Sequence, residues 1–87
     1  MSKDVCVVGL GYIGLPTSAL LANNGYQVFG VDISPEVVNI INQGNIHIVE
    51  PDLEEQVALA IQSSKLKAYL EPQIADIYMI CVPTPFH

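Results

Sequence analysis

The stretch that most constrains this chain is a short apolar run, Val5-Cys6-Val7-Val8, leading directly into Gly9-Leu10-Gly11-Tyr12-Ile13-Gly14. The run reads as a buried strand, continuous and mostly β-branched. After Ile13 the pattern turns helical, so the glycines sit in a strand-to-helix turn. Each has a physical task there. Gly9 allows the tight turn, Gly11 lets backbone approach a pyrophosphate, and Gly14 lets the helix pack close on the strand. The N–H groups of the helix start then face the phosphates. The spacing alone is weak evidence. Its context is stronger, because Asp32 ends the next strand about 20 residues on, which completes the dinucleotide-binding fingerprint. The Asp32 carboxylate is expected to accept hydrogen bonds from both hydroxyls of the adenine ribose. It would repel a 2′-phosphate, and Ile33-Ser34-Pro35-Glu36 supplies no Arg or Lys to welcome one, so NAD is favoured over NADP. The bland alternative is a glycine-rich turn in an α/β fold with no ligand.

The rest of the chain alternates strands with helices. Strands are expected over Asp4–Val8, Gln27–Val31 and Ile77–Val82, the last apolar on both faces, with a short edge strand over Leu66–Tyr69. Helices are expected over Ile13–Asn23, from Ser34 as N-cap to a stop at Gln43-Gly44-Asn45, and over Pro51–Ser63. Ile46–Glu50 connects, and Glu71–Asp76 reads as a turn or one helical turn. The order implies a Rossmann-type parallel α/β sheet with right-handed crossovers, partial, with about four strands. In the strand order 3-2-1-4-5-6, Ile77–Val82 takes the fourth place.

At 87 residues, 51% of them hydrophobic, the chain holds one small domain. A complete dinucleotide domain needs about twice that, so the chain is expected to be either a minimal half-domain or a piece of a larger protein. The ending Val82-Pro83-Thr84-Pro85-Phe86-His87, in a loop straight after an apolar run, favours the second, with residues 1–87 the N-terminal part of a larger dinucleotide domain. The net charge is −6, with three Lys and no Arg. That excludes nucleic acid and an anionic membrane as partners, and any phosphate must be held mainly by backbone amides. No apolar run approaches the ~18 residues of a membrane span, and no secretory signal is evident. A soluble cytoplasmic protein is expected.

Cys6 and Cys81 both lie in apolar runs and read as buried small hydrophobes on strands, poor nucleophiles. No catalytic residue and no metal set is assigned. His47 reads as a solvated or structural loop residue, with a catalytic role the alternative. Capping and the helix dipole account for Glu50 and Asp52, with a substrate-facing role the alternative. Tyr12 either covers the cofactor or packs. Thr84, past the last strand, either places a hydroxyl at the cofactor or belongs to a proline-rich strand terminator.

Val8-Gly9-Leu10-Gly11-Tyr12-Ile13-Gly14-Leu15-Pro16, Gly30-Val31-Asp32 and Val82-Pro83-Thr84-Pro85 together resemble the N-terminus of the UDP-glucose/GDP-mannose dehydrogenase family. The segment Ile46-His47-Ile48-Val49-Glu50-Pro51-Asp52-Leu53 resembles its UDP-N-acetyl-D-mannosamine dehydrogenase branch; UDP-glucose enzymes more often carry Tyr-Glu-Pro-Gly in that loop. The resemblance implies oxidation of a nucleotide sugar at C6 to the carboxylate with two NAD in succession, feeding surface polysaccharide synthesis. It implies cofactor contacts at Gly9, Gly11, Tyr12, Ile13, Gly14, Asp32, Ile33, Pro83 and Thr84. The family's catalytic cysteine and lysine, its central helical region and its nucleotide-sugar domain have no counterpart in residues 1–87. The chain alone is therefore expected to be inactive, with the UDP-sugar a partner of the full-length protein only. A homo-oligomer is expected, since the last strand would lack its outer neighbour. A competing reading is a non-enzymatic NAD-sensing domain of the potassium-transport type; a flavin- or methyl-donor-binding segment ranks below it, because flavin enzymes usually place Glu where Asp32 stands.

Overall fold

A computed structural model describes residues 3–81. Seven elements follow in order: β1 (Asp4–Val8), α1 (Gly14–Asn23), β2 (Gln27–Val31), α2 (Pro35–Asn42), α3 (Leu53–Gln62), β3 (Leu66–Tyr69) and β4 (Ile77–Ile80). The strands form one parallel sheet ordered β3-β2-β1-β4, as the alternation implied. Ile77–Ile80 takes the fourth place beside β1, and Leu66–Tyr69 is the edge strand.

Strand register explains the core. Val5, Val28 and Leu66 lie side by side, as do Val7, Gly30 and Ala68. On a parallel sheet such neighbours share a face. That face carries α1 through Leu15, Ala19 and Ala22, α2 through Ile41, and α3 through Leu53, Val57 and Ala60. The opposite face carries Cys6, Phe29, Tyr69 and Tyr78, with Phe29 and Tyr69 edge to face at 5.9 Å. No helix lies between β3 and β4. Residues 70–76 cross as irregular chain, without the helical turn entertained from sequence. The Tyr78 hydroxyl holds them by donating to the Gln73 carbonyl and accepting from the Ala75 N–H. Strand β4 carries apolar residues on both faces as expected, but it ends at Ile80, and Tyr78 and Ile80 are exposed, because no element covers that face among the described residues.

All three helices stop in one way. The second residue past the helix is left-handed: Gly25 (φ 99°), Gly44 (φ 82°) and Ser64 (φ 62°). In each case its N–H and the next one bond back into the last turn, as in Gly25 to Ala22 and Tyr26 to Leu21, both 3.1 Å. This is the reciprocal cap that satisfies terminal carbonyls. The helix starts differ. Ser34 caps α2 as expected, its Oγ accepting from the Val37 N–H. Helix α3 begins at Leu53 rather than Pro51, because Asp52 is itself left-handed at φ 64°. Side-chain N-capping uses an extended backbone. Asp52 accordingly forms no cap hydrogen bond, which corrects the capping role expected of it; Glu54 and Glu55 remain in the first turn to favour the dipole.

Candidate dinucleotide site

The C-terminal ends of β1, β2 and β4 meet at the glycine-rich turn. The Gly9 N–H donates to the Val31 carbonyl at 2.7 Å, and the Cys81 N–H donates to the Val8 carbonyl at 2.7 Å. These bonds fix the mouth of β1 from both sides. Gly9 then turns the chain at φ 99°. A Cβ at Gly14 would run into the Gly9 carbonyl and come within 3.3 Å of Cys81 Cβ, so the helix reaches the strand only because Gly14 has none. A Cβ at Gly11 would meet nothing within 4 Å. Internal packing therefore does not require glycine there, and the bare backbone borders open space.

That space is a cleft of about 370 Å³ lined by Val8, Gly9, Leu10, Gly11, Val31, Asp32, Ile33 and Cys81. Four of the residues singled out from sequence, Gly9, Gly11, Asp32 and Ile33, thus meet on one wall. The N-terminus of α1 beside it has no side-chain cap and no acidic residue in its first turn. Its positive dipole end and amides are left for an anion. The Asp32 carboxylate is held on both oxygens. Oδ2 accepts from the Leu10 N–H at 3.1 Å, and Oδ1 accepts from the Ser34 N–H at 3.0 Å. A carboxylate offers about four acceptor directions, so two remain for a pair of ribose hydroxyls. No Arg occurs in the chain, and no Lys lines the cleft. This is a cradle that fits a dinucleotide carrying a free 2′-hydroxyl.

Three expected residues lie elsewhere. Tyr12 is 65% exposed and lines a neighbouring groove of about 400 Å³ with Pro16, Leu20, Glu50, Pro51, Asp52, Leu53 and Gln56. Ile13, at the start of α1, is exposed. Gly14 is buried beneath the turn. Pro83 and Thr84 lie outside the described residues. His47 borders an open depression with Glu50, Asp52, Glu54 and Glu55, and its Nδ1 is buried with no partner among the described residues. No three His, Cys, Asp or Glu side chains converge as a metal set there.

Sequence reasoning missed two things. Cys81 does not share the burial of Cys6. Strand β4 ends at Ile80, and Cys81, half-buried, faces the cleft beside two glycines that cannot cover it. No signal in the sequence marked this, because it depends on which residues the fold sets beside position 81. The second is the Ser34 N–H, which holds Asp32 while the Ser34 hydroxyl caps α2; an Asp whose side chain accepts the N–H two residues on is the pattern of such a turn.

Comparison with known proteins agrees with this geometry. Residues 3–87 match the profile of the UDP-glucose/GDP-mannose dehydrogenase family, NAD binding domain. The chain belongs to that family. It is similar to the NDP-N-acetyl-D-galactosaminuronic acid dehydrogenase of Ralstonia nicotianae, 54% identical over 97% of this chain and 20% of the relative. It is equally similar, at 54% identity over 97% of this chain and 21% of the relative, to the UDP-N-acetyl-D-mannosamine dehydrogenase of Campylobacter jejuni. The solved UDP-N-acetyl-mannosamine dehydrogenase of Staphylococcus aureus superposes with a TM-score of 0.91 at 45% identity, covering 94% of this chain and 20% of that one. The chain thus spans about a fifth of the length of the curated relatives it matches. The cofactor of this dehydrogenase-family domain is NAD. The potassium-transport reading finds no support in these comparisons.

Proposed function

We propose that the cleft between β1, β2 and β4 binds NAD, with Gly9, Gly11 and Gly14 shaping the pyrophosphate cradle and Asp32 holding the adenine ribose. Ile33 flanks the adenosine end, and Tyr12, Ile13, Pro83 and Thr84 make further cofactor contacts. The observation that carries this reading is the placement of Asp32, fixed by two backbone N–H groups on the same wall as the side-chain-free Gly11. The chain is then the N-terminal part of an NAD-dependent UDP-sugar 6-dehydrogenase acting on UDP-N-acetylmannosamine or a related sugar. Bound NAD supplies a hydride acceptor. The residues of this chain bind and orient it, and a nucleophile for the sugar oxidation would come from outside residues 1–87. Surface polysaccharide synthesis, a cytoplasmic setting and a homo-oligomeric full-length protein accompany that assignment. No helix among the described residues is long and apolar enough to cross a membrane.

Calorimetric titration with NAD and NADP, beside Asp32→Ala and Asp32→Asn, tests the cleft. Binding of NAD but not NADP, lost in Asp32→Ala, supports the assignment. A folded chain that binds NADP as well as NAD, or binds NAD regardless of position 32, overturns it. Sugar oxidation is tested separately: NADH formation from a UDP-sugar by the pure 87-residue chain would overturn the expectation that the catalytic groups lie elsewhere.

A further inference from the structure

Leu10 is a spacer in the Gly-x-Gly pattern, yet its side chain is wholly buried. Its partner is Gly30, in the middle of β2. A Cβ built on Gly30 would lie 3.0 and 3.1 Å from the two Leu10 methyl carbons and 3.6 Å from its Cγ. The branched end of Leu10 therefore fills the room that a side chain at position 30 would take. A glycine inside a strand weakens it and calls for a local reason; here the reason is the close approach of Leu10. The same residue donates its backbone N–H to Asp32 Oδ2. Leu10 thus has its side chain seated on β2, its amide on the ribose-binding carboxylate, and Gly9 and Gly11 of the cleft on either side.

We propose that Leu10 and Gly30 form a size-matched lock that sets the position of the glycine-rich loop over β2, which makes Leu10 a positioning residue for the dinucleotide. This rests on the reading of the cleft as an NAD site. The physical ground is close packing. A buried interior has no slack for an added methyl, so the nearest movable group must shift. Leu10 sits on a loop, whereas Gly30 is paired with β1 and β3 on both sides. The loop is the part that yields, and its movement carries the Leu10 N–H away from Asp32 and Gly11 away from the pyrophosphate position.

The test uses the full chain with Gly30→Ala, Leu10→Val and the double variant. NAD affinity is measured by calorimetry below the melting temperature of each. Hydrogen exchange of the Leu10 amide is followed in parallel. Gly30→Ala should weaken NAD binding about tenfold and speed Leu10 exchange, as expected of overpacking relieved by loop movement. Leu10→Val alone should weaken binding about threefold, because the seat is left underfilled. The double variant should bind more tightly than Gly30→Ala. A merely structural role would lower the melting temperature without this reciprocal recovery. The proposal is overturned if folded Gly30→Ala binds NAD normally, or if the double variant loses as much as the two singles combined. Should Gly30→Ala fail to fold, unchanged NAD affinity and Leu10 protection in Leu10→Val overturn it instead. If the unaltered chain binds no NAD, the reading of the cleft falls, and Leu10 amide exchange across the variants decides the lock alone.

Discussion

Replacing Asp32 by alanine removes more than a ribose contact, because two backbone N–H groups lose their acceptor at once. Hydrogen bonds to a charged group contribute roughly 1.5–3 kcal/mol each at most, less where water can substitute, so Asp32→Ala should cost about 2 kcal/mol of stability by thermal melting. Asp32→Asn keeps one oxygen and should fall between the two. It should also admit NADP better than the parent, since the charge that repels a 2′-phosphate is gone. The ribose role of Asp32 was legible in the sequence from its spacing behind the glycines. Of its bracing role only the local half was, as an Asp accepting the N–H two residues on; the Leu10 half was not, because that main-chain amide stands 22 residues away and only the fold aims it. Cys81 shows the same limit: residue type and apolar neighbours suggested burial, whereas its exposure depends on two neighbours that lack side chains.

Helix ends show how far local chemistry reaches. Gly25 and Gly44 announced the stops of α1 and α2, and Ser34-Pro35-Glu36 announced the start of α2. Helix α3 gave neither signal, because its left-handed positions are held by Ser64 and Asp52. Ser64 fills the place taken by glycine in the other two caps, with its N–H on the Ile61 carbonyl. Ser64→Gly should therefore stabilise the chain by about 0.5–1 kcal/mol, read as a higher melting temperature; a drop would show that the cap is not strained. At the outer edge of the sheet, Asn42 acts as a stand-in strand. Its Nδ2 donates to the Ala68 carbonyl at 3.0 Å while its Oδ1 accepts from the Ala68 N–H at 2.8 Å. Asn42→Ala should cost about 1–2 kcal/mol and speed exchange of the Ala68 amide. It should also leave β3 open to pairing.

For the whole molecule, three helices on one face and no helix on the other among the described residues make an asymmetric layer. The parallel order and the central place of β1 followed from the alternation of elements. The short connection between β3 and β4 was legible too, since Glu71–Asp76 has no room for a crossover helix; the exposure of Tyr78 and Ile80 that goes with it was not drawn from the sequence. Among the described residues, strand β4 borders only β1, and it exposes Tyr78 and Ile80. An open apolar edge recruits other chains, so the 87-residue chain should self-associate as concentration rises, and Ile80→Lys should weaken that association. Light scattering decides the matter: a monomer at high concentration in the unaltered chain would sink the expectation.

The place of β1 also has a consequence for synthesis. It is made first, yet it is the strand on which the sheet closes, and its Asp4 amide waits for a carboxylate 72 residues later. At a translation rate of about 5–20 residues per second, that is a wait of roughly 4–14 s. During it Cys6 and its neighbours have β2 on one side and nothing on the other. A nascent chain stalled before Asp76 would present its most apolar strand to whatever binds emerging polypeptides. The same chain released after Ile80 would not.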